Sequence, residues 1–394
     1  MSSITNNIDL PQDIDANLPI LLVDNQDDLR LIIAHQLSLL KFKNILQARD
    51  SLLGYQMLQD YKNVSLVICS LELPDINGLE FLDEIREETS VNRPPFCLTM
   101  YNANKDKIML AVEKGVDEIL VKPFPLSDIM VKAQQAFFTF NNPRNPDQLY
   151  ELAKRHLRSN ELEMAERIYT NLADLSKSAR PWVGLAKVAK LRAQKHHALD
   201  LLMQAERNNP HYVHLYSERA NLQLDAGEPE KALASYKQAI DISPLNPIRY
   251  IKCAEILNQY KQFEAVVELL ELAVAKDVSA PDIFHHLSQA CYYLKEYKKA
   301  IRYIKRALSR DNQNSLYLNQ LALSYKATGD MEEANKVYNQ AIKLDSENFQ
   351  AQYNKAIMLI EQKKQKEAIK ILRRLVKKFP KFKQAKDKLT ALTK

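Results

Sequence analysis

Side chains that could bind a metal or attack a substrate are few in this chain and poorly grouped. Cys69, Cys97, Cys253 and Cys291 stand singly, with neither CxxC nor metal-ligand spacing. Each lies in an apolar stretch, which reads as a buried free thiol in a reducing cytoplasm. The histidines come closer to a pattern, as His196-His197, His211 with His214, and His285-His286. A metal site needs convergent ligands and an orienting shell, so these read as polar positions on helices. Six glycines in 394 residues argue against glycine-rich phosphate loops and for a helix-dominated chain. The last 34 residues hold 13 Lys+Arg and three Asp+Glu, with Lys363, Lys364, Arg373, Arg374, Lys377 and Lys378 at their heart. Such a run could meet phosphates. It more often solvates an exposed final helix, and no groove-reading motif accompanies it, so nucleic acid is disfavoured. The expectation is a non-enzyme without cofactor or metal.

The elements that carry these residues fall into two groups. Residues 1–140 hold 12 basic and 20 acidic residues, whereas the remainder holds 43 and 29. From Leu18 to about Phe138, short apolar runs alternate five times with amphipathic stretches, which implies a parallel sheet covered on both faces. Residues 139–145 carry Pro143 and three asparagines and read as a linker. Residues 1–17 are polar, lack the apolar core of a signal peptide, and read as a disordered tail. No run of 18 apolar residues exists, so no membrane span is expected.

Beyond the linker one position recurs. Ala165, Ala198, Ala232, Val266, Ala300, Ala334 and Ala368 are spaced by 33 or 34 residues, the mark of a helix-turn-helix solenoid. Counted from Pro146, Ala179, Val213, Pro247, Pro281, Ser315 and Phe349, small residues fill position 8 of nearly every unit, and large apolar ones fill positions 4 and 24. This constellation resembles the tetratricopeptide repeat (TPR) over residues 146–382, with residues 383–394 as a capping helix. The resemblance implies a concave groove for protein partners, lined here by Tyr150, Lys154, Arg180, Lys187, Asn221, Asn258, His285, Gln289, Tyr292 and Tyr293, among others. The lining is basic toward the first two units, which suits a peptide with an acidic end.

The first segment carries Val23-Asp24-Asn25, Leu73-Pro74, Asn77-Gly78, Leu98-Thr99 and Lys122-Pro123-Phe124. In order and spacing these resemble the receiver domain of bacterial response regulators, over residues 18–138. The resemblance implies a five-stranded parallel, doubly wound, flavodoxin-like fold with its site at the strand carboxyl ends. It also implies a pocket of Asp24, Asn25, Ser70, Thr99 and Lys122. Ser70 stands where the phosphoacceptor aspartate belongs, and Asn25 replaces one of two paired acids. The pocket is therefore expected to have lost phosphotransfer, with Asp24 the partner of Lys122. The expected whole is a cytoplasmic bacterial two-component adaptor that could meet a histidine kinase or other signalling protein through its receiver face. Its alternatives are a regulator phosphorylated at an atypical site, and a nucleic-acid-associated protein using the basic end.

Overall fold

The computed structural model describes residues 17–39, 41–61, 63–87, 94–141 and 146–393. Residues 1–16 of the expected tail and 142–145 of the expected linker lie outside them. The chain divides into two compact units, Met1–Ala226 and Gly227–Lys394.

The first unit opens with β1 (Ile20–Val23), α1 (Asp27–Leu39), β2 (Ile45–Ala48), α2 (Ser51–Asp60), β3 (Leu66–Ser70), α3 (Gly78–Glu87), β4 (Phe96–Met100), α4 (Lys105–Lys114), β5 (Glu118–Val121) and α5 (Leu126–Asn141). All strand pairs are parallel, in the order β2-β1-β3-β4-β5. β1, β3 and β4 are buried along their whole length, so their sequences are continuous apolar runs rather than alternations. One face of the sheet packs Ile20, Leu22 and Ile68 against Ile33, Leu37 and Ile129 of α1 and α5. The other packs Val23, Val67 and Leu98 against Leu58, Phe81 and Ala111 of α2, α3 and α4. Side chains fix the helix starts: Asp50 accepts from the Leu53 N–H, and Asn104 from the Lys107 N–H. α5 runs to Asn141, into the stretch read as linker from residue 139. The first breaker there is Pro143, and only the residue before a proline is driven from helical backbone.

Helical hairpins follow in the same unit: α6 (Pro146–Arg158), α7 (Leu162–Leu175), α8 (Arg180–Leu191), α9 (Lys195–Asn208) and α10 (Val213–Asp225). The second unit continues the pattern with α11 (Pro229–Ile242), α12 (Pro247–Gln259), α13 (Phe263–Ala275), α14 (Pro281–Tyr293), α15 (Tyr297–Leu308), α16 (Ser315–Thr328), α17 (Met331–Leu344), α18 (Phe349–Glu361), α19 (Gln365–Lys378) and α20 (Lys383–Thr393). Pro229, Pro247 and Pro281 occupy first helical positions, where the missing N–H costs nothing. The periodic small residues are the buried crossing points: Ala165, Ala198, Ala232, Val266, Ala300, Ala334 and Ala368 are all fully buried. Each turn inside a hairpin closes at one residue with left-handed backbone: Asn160, Ala193, Gly227, Lys261, Lys295, Gly329 and Lys363.

Candidate functional site

The chemistry-bearing residues of the sheet domain converge where its strands end. β1 delivers Asp24, β3 ends at Ser70, β4 carries Thr99 in register with Ser70, and the turn after β5 supplies Lys122. Lys122 Nζ donates to Asp24 Oδ2 at 2.7 Å and to Ser70 Oγ at 2.9 Å. Asp24 and Lys122 are both buried, as are Ser70 and Thr99. The other carboxylate oxygen of Asp24 accepts from the Gln26 N–H at 2.9 Å. Thr99 Oγ1 has no hydrogen-bond partner among the described residues. Asn25 is exposed, and no hydrogen bond ties it to the group, so four of the five expected pocket residues meet.

Sequence reasoning missed the pocket's cover. The Tyr101 ring lies 5.0 Å from Lys122 Nζ, and its hydroxyl donates to Gln26 Oε1 at 2.5 Å. Tyr101 stands two residues beyond Thr99, and that proximity was the only signal. Arg30 donates to the Asp24 carbonyl at 2.6 Å. Glu72 reaches Ser70 Oγ at only 3.5 Å. Asp75, the nearest other acid, is occupied elsewhere, accepting from the Ser51 hydroxyl and from the N–H groups of Ser51 and Leu52. Behind Ser70, burial pushes the Cys69 thiol well above its ordinary pKa, which leaves it unreactive. All four cysteines are buried and free.

The repeats carry a second set. In the first unit, Lys154, Arg180 and Lys187, expected to line the groove, are matched by acids of this chain, as is Lys190. Arg180 pairs with Asp147, Lys154 with Glu151, Lys187 with Glu218 at 3.0 Å and Lys190 with Asp225 at 2.9 Å. The charge read as an attraction for an acidic peptide end is thus consumed internally. Tyr150, also expected in the groove, is buried in the core beside Tyr169, with the Arg180 guanidinium 3.9 Å from its ring centre. An aromatic at that position gains more from the helix crossing than from water. Asn221 is half-buried, and His214 lies 3.3 Å from the Glu113 carbonyl at the end of α4.

In the second unit Asn258, His285, Gln289, Tyr292 and Tyr293 are mostly amide and aromatic, and Lys326 among the expected lining is paired with Glu361. The His285 ring lies tilted between those of His286 and Tyr317, with centres 5.5 and 5.1 Å away, and the Tyr317 hydroxyl donates to Asp282 at 2.5 Å. The Asn258 amide lies 3.4 Å from His286 Nδ1. Gln289 is half-buried beside His286, whose pKa burial holds below the ordinary value, with Glu255, Asp282 and the Gln289 hydrogen bond opposing the shift. Tyr292 packs edge-on against Tyr293, while Tyr293 stacks on Phe263 at 4.5 Å, bridging neighbouring repeats. Burial holds the His285 pKa down to about 4, with His286 adding to the shift and Asp282 opposing it. The folded state therefore holds this imidazole neutral. As pH falls from the ordinary 6.5 toward about 4, the unfolded chain takes the proton first, and stability present above that window is lost. Between about pH 7 and 5 the urea midpoint of the repeats should fall further in the wild type than in His285→Phe. Equal falls would show that His285 titrates normally.

Residues 20–134 match the response regulator receiver domain. Residues 193–247 and 319–381, and residues 281–314, match tetratricopeptide repeat families. The chain carries a receiver domain followed by TPR repeats. The receiver is 27% identical over 107 residues to the Chemotaxis protein CheY homolog of Campylobacter jejuni, covering 27% of this chain and 82% of that protein. It is 28% identical over 121 residues to Chemotaxis protein CheY-3 of Vibrio cholerae, covering 31% and 92%. Among solved structures, the C-terminal part of a TPR repeat-containing protein from Cytophaga hutchinsonii is similar at a TM-score of 0.48 and 17% identity, covering 60% of this chain and 98% of that one. The APC/C hetero-tetramer Cut9-Hcn1 is similar at 0.48 and 17%, covering 68% of this chain and 52% of that one, so the TPR-bearing chain spans about half of its length. Among the described residues, no helix is long and apolar enough to cross a membrane.

Proposed function

We propose that this protein is a non-catalytic bacterial signalling adaptor, in which a receiver domain that no longer takes phosphate is joined to TPR repeats that hold a protein partner. The closed Lys122–Asp24–Ser70 group carries the reading. Phosphotransfer to a receiver needs a carboxylate nucleophile beside a hard divalent cation, and Mg²⁺ asks for octahedral oxygen with carboxylate charge. Here one buried carboxylate remains, and Lys122 matches its charge at 2.7 Å. Asn25 stands outside. This donor set does not fit the ion. Ser70 lacks a close activating base, because its nearest partner is an ammonium that donates to it at 2.9 Å and the exposed Glu72 carboxylate stands off at 3.5 Å.

The second unit supports the binding half. Tyr292 is half-exposed in a neutral setting of tyrosines, imidazoles and amides, the kind of surface where large contact area comes at little entropic cost. Partner contacts are accordingly aromatic and amide-based, rather than an electrostatic clamp on an acidic end. The chemotaxis proteins that the receiver resembles support a role in bacterial signalling. We place that role in the cytoplasm, with a histidine kinase or another signalling protein meeting the receiver.

The full chain incubated with acetyl phosphate and Mg²⁺ should gain no phosphate by intact mass. A stable adduct that disappears in Ser70→Ala overturns the first half. For a partner captured by the full chain, Tyr292→Ala should weaken affinity at least tenfold, about 1.4 kcal/mol, while Ser70→Ala leaves it unchanged. Affinity that survives Tyr292→Ala moves the partner away from the groove.

A further inference from the structure

The last repeat carries a charge pattern that neither the pocket nor the groove uses. On α19, Lys366, Lys370, Arg373, Arg374 and Lys377 are exposed, and none forms an ion pair among the described residues. The contrast lies within this protein, since Arg180, Lys187 and Lys190 of α8 are matched by acids. Beside the unmatched five, only Lys378 has a partner, Glu347. At the helical rise of about 1.5 Å per residue, the line from Lys366 to Lys377 runs for about 17 Å. Cations in a last helical turn stabilise the helix's own dipole. That accounts for Lys377 and leaves Lys366, Lys370, Arg373 and Arg374 unexplained.

The opposite side of α19 is already filled, because Ala368, Leu372 and Leu375 are buried in the core of the last repeat. Every fully exposed position of α19 is polar. A protein–protein interface is anchored by an apolar centre, and a helix lying in a membrane surface inserts an apolar face. The exposed side of α19 has neither, so what it meets must be held by charge alone. Duplex DNA presents one negative charge per about 1.7 Å of axis, dense enough to engage several of these cations at once. Phe379 and Phe382 pack on Phe349 at 5.5 and 5.0 Å, and so are committed to one another rather than to bases.

We propose that the outer face of α19 binds the phosphate backbone of a nucleic acid, without reading its bases. This second surface is independent of the TPR groove. Sequence reasoning favours solvation for the same run and keeps nucleic acid as an alternative; the unmatched charge along a face without apolar side chains is what turns the choice.

The test is fluorescence anisotropy of the full chain with a short labelled mixed-sequence DNA duplex. With about four phosphate contacts, affinity should fall roughly a hundredfold between about 50 and 200 mM salt. Lys370→Glu combined with Arg373→Glu and Arg374→Glu should lower affinity at least tenfold, and the log–log salt slope should shrink by about three. The milder triple change to Gln at the same positions keeps helix propensity and should produce the same reduction in slope. Competing sequences should displace the probe equally. Absence of binding at low salt, a slope unmoved by both triple variants, or equal affinity for polyglutamate or for phosphatidylserine vesicles overturns the proposal.

Discussion

Replacing Lys122 with alanine should destabilise the receiver domain by about 3–5 kcal/mol, the usual cost of leaving one member of a buried ion pair behind. Asp24 would then be left buried without its counter-charge, with one backbone N–H for compensation. Ser70 would also lose its donor. Hydrogen exchange of the β1, β3 and β5 amides in the full chain reports this domain separately from the repeats. Protection in those strands should fall by several orders of magnitude. Asp24→Leu combined with Lys122→Met should restore most of it, because replacing both charges removes the stranded one. Unchanged protection in Lys122→Ala would mean that solvent already screens the pair.

Gly78→Ala should be nearly as damaging. A methyl group at Gly78 would sit 2.3 Å from the Ser70 carbonyl oxygen and 3.2 Å from Cys69 Sγ. A backbone carbonyl cannot rotate aside, so either the start of α3 or the end of β3 must move. The expected cost is about 3 kcal/mol, the upper end for overpacking. Thermal unfolding read from strand protection should show it, with Gly115→Ala as the control. Gly115 has nothing within 4 Å of an added methyl and a left-handed φ of 81°, so only backbone strain of about 1 kcal/mol is expected there. Equal effects of the two changes would show that α3 is free to shift.

Much of the architecture is legible in the sequence because burial is periodic. Strands buried on both faces must be apolar throughout, and helices that cross closely must place a small residue at each crossing, so Leu66–Ser70 and the alanine series announce themselves. What faces what is harder to read. Tyr150 has the position of a groove residue, and its burial depends on how Tyr169 and Arg180 fill the space around it. Three of these ion pairs of the first unit join helices one repeat apart, as Asp147 joins Arg180 33 residues on, whereas Glu151 and Lys154 pair within α6. Opposite charges about one repeat apart at groove positions were therefore a readable signal. Tyr101 offered only its place two residues beyond Thr99, since its role depends on where the chain after β4 turns.

The left-handed turns of the hairpins bear on how this array has been shaped. Two of the seven closing residues are glycine and one is asparagine, which accept that backbone readily. Ala193, Lys261, Lys295 and Lys363 do not, and each holds its turn at a strain of about 1 kcal/mol. Together they withhold a sizeable fraction of the roughly 5–15 kcal/mol typical of a whole domain. Asparagine at these four turns would relieve that strain, so the hairpin ends are places where the scaffold could be made firmer away from the receiver pocket and the tyrosines of the groove.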